Sequence, residues 1–101
     1  MAKYFAFHTL KKSAEEVTNA LNQGAVEMAQ AMASGETPSK CLKTWTPLTH
    51  GRDDYLFCLW EAEKIEDVEA TIKSFGFLEY FTVDTMQVDE INWGELAKTG
   101  G

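Results

Sequence analysis

A chain of 101 residues, 45% of them hydrophobic and 12% aromatic, has enough apolar side chains for one core and is too short for two ordinary domains. Nine Lys and Arg residues stand against sixteen Asp and Glu residues, and the formal charge of -7 disfavours binding to nucleic-acid phosphates and acidic membranes. The composition therefore predicts a single domain over residues 1–101, with no nucleic-acid and no membrane partner.

The N-terminal residues and the cysteines indicate the cellular compartment of the protein. The first residues show no basic segment followed by a long apolar run, and no apolar stretch approaches the roughly 18 residues of a transmembrane helix. Cys41 and Cys58 are 17 positions apart and form neither a CxxC pair nor a disulfide framework. We therefore expect a cytoplasmic protein with two free thiols.

The first part of the chain predicts a strand followed by a long helix. Residues 3–10 are rich in aromatic side chains, which favours a strand. Ser13 and Glu16 have the spacing of a capping box, and an apolar stripe at three- and four-residue steps follows them. The members of this stripe are Ala14, Val17, Leu21, Ala25, Met28 and Met32. We expect Gly24 to permit close approach of this helix to the sheet and Gly35 to end it.

The middle of the chain predicts a hairpin. Residues 40–48 are typical of an edge strand, because Pro47 cannot donate a ladder hydrogen bond and Lys43 favours water. The polar residues 49–54 form the loop, and Tyr55–Ala62 then predicts a central strand, since it is apolar at odd and even positions alike.

A symmetric hairpin loop would place Thr44 or Trp45 opposite Cys58 and would bring Cys41 near Glu61 or Ala62. The two cysteines would then not be directly opposed, which argues against a disulfide.

The last part of the chain predicts a second helix and a fourth strand. Apolar residues at helical spacing over 65–75 follow an acidic first turn, and Gly76 ends this helix. An aromatic passage over 77–81 leads into a strand over 82–88. The core is then expected at about 3–92, with a polar C-terminal tail over 93–101.

The predicted order of elements is strand, helix, strand, strand, helix, strand, the ferredoxin-like βαββαβ arrangement of the α+β class. Right-handed crossovers place both helices on one face of a four-stranded antiparallel sheet ordered 4-1-3-2. The other face would expose an apolar footprint of roughly 400 Å², which usually marks an interface. We therefore expect a homodimer in which two sheets pack face to face.

The order of elements resembles that of the dimeric α+β barrel superfamily, over roughly residues 3–92. Within it, the run Tyr-Leu-Phe-Cys-Leu-Trp-Glu-Ala at 55–62, followed by an acidic amphipathic helix, is similar to small prokaryotic families of unknown function. The resemblance implies the fold and the dimer. Members of the superfamily include cofactor-free monooxygenases, haem enzymes, lactone isomerases, ligand-sensing domains and small nickel-binding proteins, so the fold does not select a function.

His8 is the first candidate site residue, because a histidine in a central strand projects either into the helix-packed core or into the space between the two sheets of the dimer. There it could act as a base, a hydrogen-bond donor or a metal ligand. The alternative is a core histidine whose hydrogen bond is satisfied. His50 lies in the polar loop and is expected to be solvated.

Cys58, Trp60 and Trp45 are the other candidate ligand-binding residues. Cys58 could be a soft metal ligand or a cavity wall, and the alternative is a small buried hydrophobe. The tryptophans offer flat surface for a planar ligand, and they are equally suited to a core and a dimer interface. A metal site would draw on His8 and Cys58, with Cys41 or His50, but no spacing matches a zinc signature.

The sequence contains no Gly-rich phosphate loop, no GxSxG and no HExxH motif, and it indicates no particular cofactor. Asp84 and Asp89 are expected on a solvated edge strand. Our leading hypothesis is binding of a small molecule or a metal ion in a pocket of the α+β barrel fold, either between the sheet and a helix or within the barrel, lined by His8 and aromatic residues. The alternatives are a cofactor-independent monooxygenase or isomerase with His8 as general base, and a structural or interaction protein without a pocket.

Overall fold

The computed structural model describes residues 1–99, which form four strands, three α-helices and a short 3-10 helix. In chain order the elements are β1 (Ala2–Thr9), α1 (Ala14–Ala33), β2 (Ser39–Trp45), β3 (Tyr55–Ala62), α2 (Ile65–Ser74), a short 3-10 helix (Phe77–Glu79), β4 (Asp84–Val88) and α3 (Trp93–Thr99). The predicted α+β class is confirmed. No helix in these 99 residues is long and apolar enough to cross a membrane.

The four strands form one antiparallel sheet in the order β2-β3-β1-β4, which reads 4-1-3-2 from the opposite edge. β1 and β3 lie in the centre, as expected from their apolar sequences, and β2 and β4 are edge strands. β2 ends at Trp45 instead of reaching residue 48, so Pro47 lies in the hairpin loop. There the carbonyl of Pro47 accepts hydrogen bonds from the amides of His50 and Arg52.

A β-bulge in β2 decides which of its side chains face the helices. Thr44 pairs with Cys58, as the symmetric hairpin predicted, but the register shifts between Cys41 and Lys43. Cys41 therefore pairs with Trp60, and the prediction that it lies near Glu61 or Ala62 is wrong. The extra residue of the bulge breaks the simple alternation of the strand, so that Cys41 and Thr44 both project toward the helices.

Helix α1 begins and ends where the sequence predicts. Ser13 Oγ accepts the amide of Glu16 at 3.2 Å, and the same hydroxyl contacts the Glu16 carboxylate at 3.2 Å. Gly35, with a φ of +82°, follows the last turn. The close approach expected at Gly24 is made to a different partner, because a Cβ there would lie 3.3 Å from Cζ of Phe77 in the 3-10 helix.

Both long helices contact β2 on the same face of the sheet. From α1, the Sδ of Met32 accepts a hydrogen bond from the Cys41 amide at 3.1 Å. From α2, Thr71 Oγ1 lies 2.6 Å from Ser39 Oγ, and both residues are at most 1% exposed. Because Thr71 donates its only hydroxyl proton to the Asp67 carbonyl at 2.9 Å, Ser39 is the donor in the buried pair.

The segment predicted as a polar tail over 93–101 contains α3, and residues 100–101 lie outside the described part of the chain. Asn92 Oδ1 caps α3 by accepting the Glu95 amide at 3.1 Å. Three large apolar side chains of this segment are exposed: Ile91, Trp93 and Leu96, with Trp93 75% exposed. We call residues 89–99 the C-terminal arm.

The face of the sheet opposite the helices carries a cluster of aromatic rings, which we call the open face. Phe5 and Phe7 of β1 lie beside Tyr55 and Phe57 of β3, with ring centroids 5.5 Å apart for Phe5 and Phe57 and 5.0 Å apart for Phe7 and Tyr55. Trp45 of β2 extends the cluster, 5.9 Å from Phe57. The uncovered apolar face expected from the sequence is therefore present.

Candidate functional site

A cavity of about 210 Å³ lies between α1 and the helix-covered face of the sheet. The sheet contributes His8, Cys41, Thr44, Cys58 and Trp60, and α1 contributes Leu21, Ala25, Met28 and Met32. The cavity opens between α1 and edge strand β2, where Leu42, Lys43 and Thr44 are exposed. Since about 150 Å³ is enough for benzene, this volume suits a single ring with a few substituent atoms.

Three of the four predicted ligand-binding residues line this cavity: His8, Cys58 and Trp60. They share a face because β1 and β3 pair Ala6 with Cys58, which places alternate residues of both strands under the helices. Trp45 lies on the open face instead, because it pairs with Phe57, and it is 43% exposed.

His8 has a fixed orientation at one side of the cavity. The ring is 1% exposed, and Nδ1 lies 2.9 Å from the carbonyl oxygen of Thr82. Because a carbonyl only accepts, Nδ1 carries the proton and Nε2 carries a lone pair. Burial lowers the pKa of His8, against the smaller opposing effect of the Thr82 hydrogen bond, so the imidazole is neutral at pH 7.

The two ring nitrogens of His8 therefore differ. The expectation of a core histidine with a satisfied hydrogen bond is met for Nδ1. Nε2 carries the lone pair, and because His8 lines the cavity it can accept a hydrogen bond from a molecule bound there.

Trp60 contributes a buried hydrogen-bond donor to the same cavity. The residue is 1% exposed, and its Nε1 makes no well-formed hydrogen bond in the described part of the chain, although the indole interacts with the neighbouring Cys58 sulfur. The large majority of buried polar groups are paired, and an unpaired one costs about 1–3 kcal/mol. An acceptor atom of a bound molecule would remove this cost.

Cys41 and Cys58 meet at the hydroxyl of Thr44. Thr44 Oγ1 lies 3.1 Å from Cys58 Sγ and 3.5 Å from Cys41 Sγ, and both thiols are free. The Cys58 thiol and, to a smaller extent, the Thr44 hydroxyl lower the pKa of Cys41 to about 7, although burial acts in the opposite direction. The neighbouring Cys41 and burial raise the pKa of Cys58. Cys41 is therefore the more acidic of the two thiols.

The candidate metal ligands do not form a cluster. Among residues 1–99 there is no group of three or more His, Cys, Asp or Glu side chains that could hold a metal ion. His50 is exposed in the hairpin loop, and Asp84 and Asp89 are exposed on or after edge strand β4, as expected.

Sequence reasoning placed Thr44 or Trp45 opposite Cys58, but it did not predict that Cys41 and Thr44 face the same side of the sheet. Their spacing of three would place them on opposite faces of a regular strand. No residue in the sequence marks the bulge that brings them together. Met28 and Met32 were recognised as part of the apolar stripe of α1, and the structure adds that they form the roof of the cavity.

Comparison with known proteins supplies a fold and no family. No family and no curated protein matches the chain. Among solved structures, the chain is similar to a REP-associated tyrosine transposase bound to a REP hairpin, with a TM-score of 0.52 and 10% sequence identity. The similarity covers 95% of this chain and 61% of the transposase chain, so this chain spans about three-fifths of that protein's length.

Proposed function

We propose that the protein binds a small, planar, largely apolar molecule in the cavity between α1 and the sheet. The observation that carries this proposal is the Trp60 indole N–H, which is buried at the cavity wall and makes no well-formed hydrogen bond within residues 1–99. His8 Nε2 supplies a complementary acceptor, and the remaining wall is formed mainly by aliphatic, aromatic and thioether side chains. Few polar groups in an apolar pocket are what small-molecule sites use to fix orientation.

The chemistry of the ligand follows from these two groups. Trp60 needs an acceptor such as a carbonyl or phenolic oxygen, and His8 Nε2 needs a donor such as a hydroxyl. A phenol or a small hydroxylated aromatic carbonyl compound supplies both and fits the volume.

Thermal unfolding with a panel of phenols and aromatic carbonyl compounds tests the proposal. A ligand at about 100 times its Kd adds about 2.7 kcal/mol, which corresponds to a rise in Tm of roughly 10 °C or more for a domain of this size. Trp60→Phe should remove most of this rise, and His8→Ala should reduce it. Trp45→Phe is the matched control, because it changes a tryptophan on the open face and should leave the rise intact. An equal rise in the wild type and in Trp60→Phe would contradict the proposal.

A metal ion is a less favoured occupant, because the described residues hold no cluster of three ionisable ligands. Native mass spectrometry of the untagged protein separates the two occupants by the mass that each adds. A cofactor-independent monooxygenase or isomerase is the second candidate function, since His8 Nε2 is neutral and unprotonated as a general base requires. Turnover with a limb of the pH-rate profile set by His8 would favour it.

The open face supports a second proposal, a ferredoxin-like homodimer in which two such faces meet as in dimeric α+β barrels. The roughly 400 Å² footprint of the sheet is about half of the ~800 Å² that each partner buries in a standard interface. The C-terminal arm can supply the remainder, because Ile91, Trp93 and Leu96 are exposed in a single copy.

Size-exclusion chromatography with light scattering tests the dimer. Phe57→Glu places a charge in the centre of the open face and should yield a monomer. Val26→Glu is the control, since Val26 is 66% exposed on α1, on the helix side of the sheet. A wild-type monomer at micromolar concentration would refute the dimer.

The DNA hairpin is bound by the transposase, and the negative charge of this chain argues against hairpin binding here. A formal charge of -7 repels phosphates, so we infer that this chain does not bind a DNA hairpin. Fluorescence anisotropy with a labelled hairpin at low salt checks this, and saturable binding would contradict it.

A further inference from the structure

We propose that Cys41 is a covalent modification site for small α,β-unsaturated carbonyl compounds that enter the cavity. This inference rests on the proposed ligand-binding role of the cavity and names one chemical class of its ligands. It assigns different roles to the two thiols, since Cys41 is partly exposed at the cavity wall on the edge strand and Cys58 is buried on the central strand.

The surroundings of Cys41 suit a sulfur anion. The Lys43 carbonyl oxygen accepts from the Cys41 thiol at 3.5 Å, which favours the protonated form. Against this, the Thr44 hydroxyl lies 3.5 Å from Cys41 Sγ, and the Cys58 thiol on β3 lowers the pKa of Cys41. Both groups can donate hydrogen bonds to a thiolate, which is the nucleophilic form of cysteine. The lowered pKa of Cys41 increases the fraction of this thiol that is ionised near neutral pH.

Trp60 lies next to Cys41 on the same wall of the cavity. The two residues are direct partners across the β2 and β3 ladder, so their Cβ atoms are about 5 Å apart and both side chains enter the cavity. The Cys41 side chain and the Trp60 indole are therefore neighbours at the cavity wall. The N–H can bind the carbonyl oxygen of an unsaturated carbonyl compound while the sulfur reaches its β-carbon.

The reaction is an addition in which all atoms are kept. The Cys41 thiolate forms a bond to the β-carbon, and the carbon–carbon π pair moves toward the carbonyl oxygen to give an enolate, which the Trp60 N–H stabilises. A proton from water then adds to the α-carbon, replacing the proton that the thiol released. The product is a thioether, and neither an oxidant nor a leaving group is involved.

N-ethylmaleimide, a small planar compound of this class, is the probe, and methyl methanethiosulfonate, which reacts with thiolates without a carbonyl group, is its comparison. In the wild type we expect one fast addition of N-ethylmaleimide, at Cys41, with the intact mass raised by the full mass of the reagent. The rate should rise with a midpoint near pH 7, and Cys41→Ser should abolish the fast addition.

Trp60→Phe isolates the role of the N–H. We expect it to slow the reaction with N-ethylmaleimide about tenfold, the effect of one hydrogen bond to the developing charge, and to leave the reaction with methanethiosulfonate within about twofold. Trp45→Phe should change neither rate.

Fast addition at Cys58, or an equal slowing of both reagents in Trp60→Phe, would overturn the proposal. If Trp60→Phe does not fold, the ratio of the two wild-type rates is compared with that of a short cysteine peptide, and an equal ratio refutes the inference. A phenol that raises the Tm in a Trp60-dependent manner, together with such a refutation, would leave the proposed binding function standing.

Discussion

Replacing Trp60 by Phe should change the free energy of unfolding much less than a large-to-small substitution in a core usually does. The loss of two ring carbons costs about 1.6 kcal/mol of transfer free energy. The roughly 40 Å³ of space left behind costs about 1 kcal/mol more. Against this, the exchange removes a buried N–H that makes no well-formed hydrogen bond within residues 1–99, which contributes about 1–3 kcal/mol in the opposite direction. We expect a net change within about 1.5 kcal/mol of zero.

Urea unfolding followed by far-ultraviolet circular dichroism measures this change without relying on tryptophan fluorescence. The protein is refolded from urea before the experiment, so that molecules bound in the cell are removed. Leu56→Ala is the comparison, because Leu56 is fully buried on the same strand and has no polar atom in its side chain. It should cost about 2.7–5 kcal/mol.

A loss of 3 kcal/mol or more for Trp60→Phe would refute this reasoning. It would mean that the indole N–H makes a favourable hydrogen bond in the protein as purified. The same result would remove the observation on which the proposed ligand site depends.

Three further predictions concern the rest of the helix-covered side. Since the pKa of His8 lies below its unfolded value of about 6.5, the unfolded chain gains a proton first, and stability falls as the pH falls below 6.5. His8→Asn should weaken this decline in urea titrations at pH 7.5 and 5. Thr71→Val should lower the free energy of unfolding by about 1–3 kcal/mol, measured with urea, because it leaves the Ser39 hydroxyl without its acceptor. The double variant with Ser39→Ala should lose less than the sum of the two single changes. Gly24→Ala should change the Tm little, because about 1 kcal/mol of helix propensity is offset by the 3.3 Å contact with Phe77, and Gly24→Val should lower it.

Much of the fold could be predicted because its signals are local or periodic. Ser13 and Gly35 gave the ends of α1, and the doubly apolar run at 55–62 gave the central strand, since each depends on a few neighbouring residues. The C-terminal arm was harder, because α3 is seven residues long and has no buried side chain to set a periodic pattern. The cytoplasmic location stays a prediction.

The site was predictable only in part. His8, Cys58 and Trp60 were named from residue type, but the face they share depends on the pairing of β1 with β3, which involves residues about 50 positions apart in the chain. That pairing placed them under the helices, where a cavity lies beneath α1, and of the two places considered for a pocket this is the one between the sheet and a helix. The Cys58 and Thr44 side chains that lower the pKa of Cys41 are likewise brought near it only by the tertiary structure.

The bulge in β2 has a consequence for how this protein can change during evolution. Leu42 is the added residue that lets Cys41 and Thr44 face the same way. Deletion of this one codon would place Cys41 two positions before Thr44, so regular alternation alone would keep both side chains under the helices and Cys41 opposite Trp60. The same pair of side chains can therefore be presented to the cavity either by a bulged strand with a spacing of three or by a regular strand with a spacing of two. Relatives of this chain are best compared by the length of this strand as well as by the residues in it.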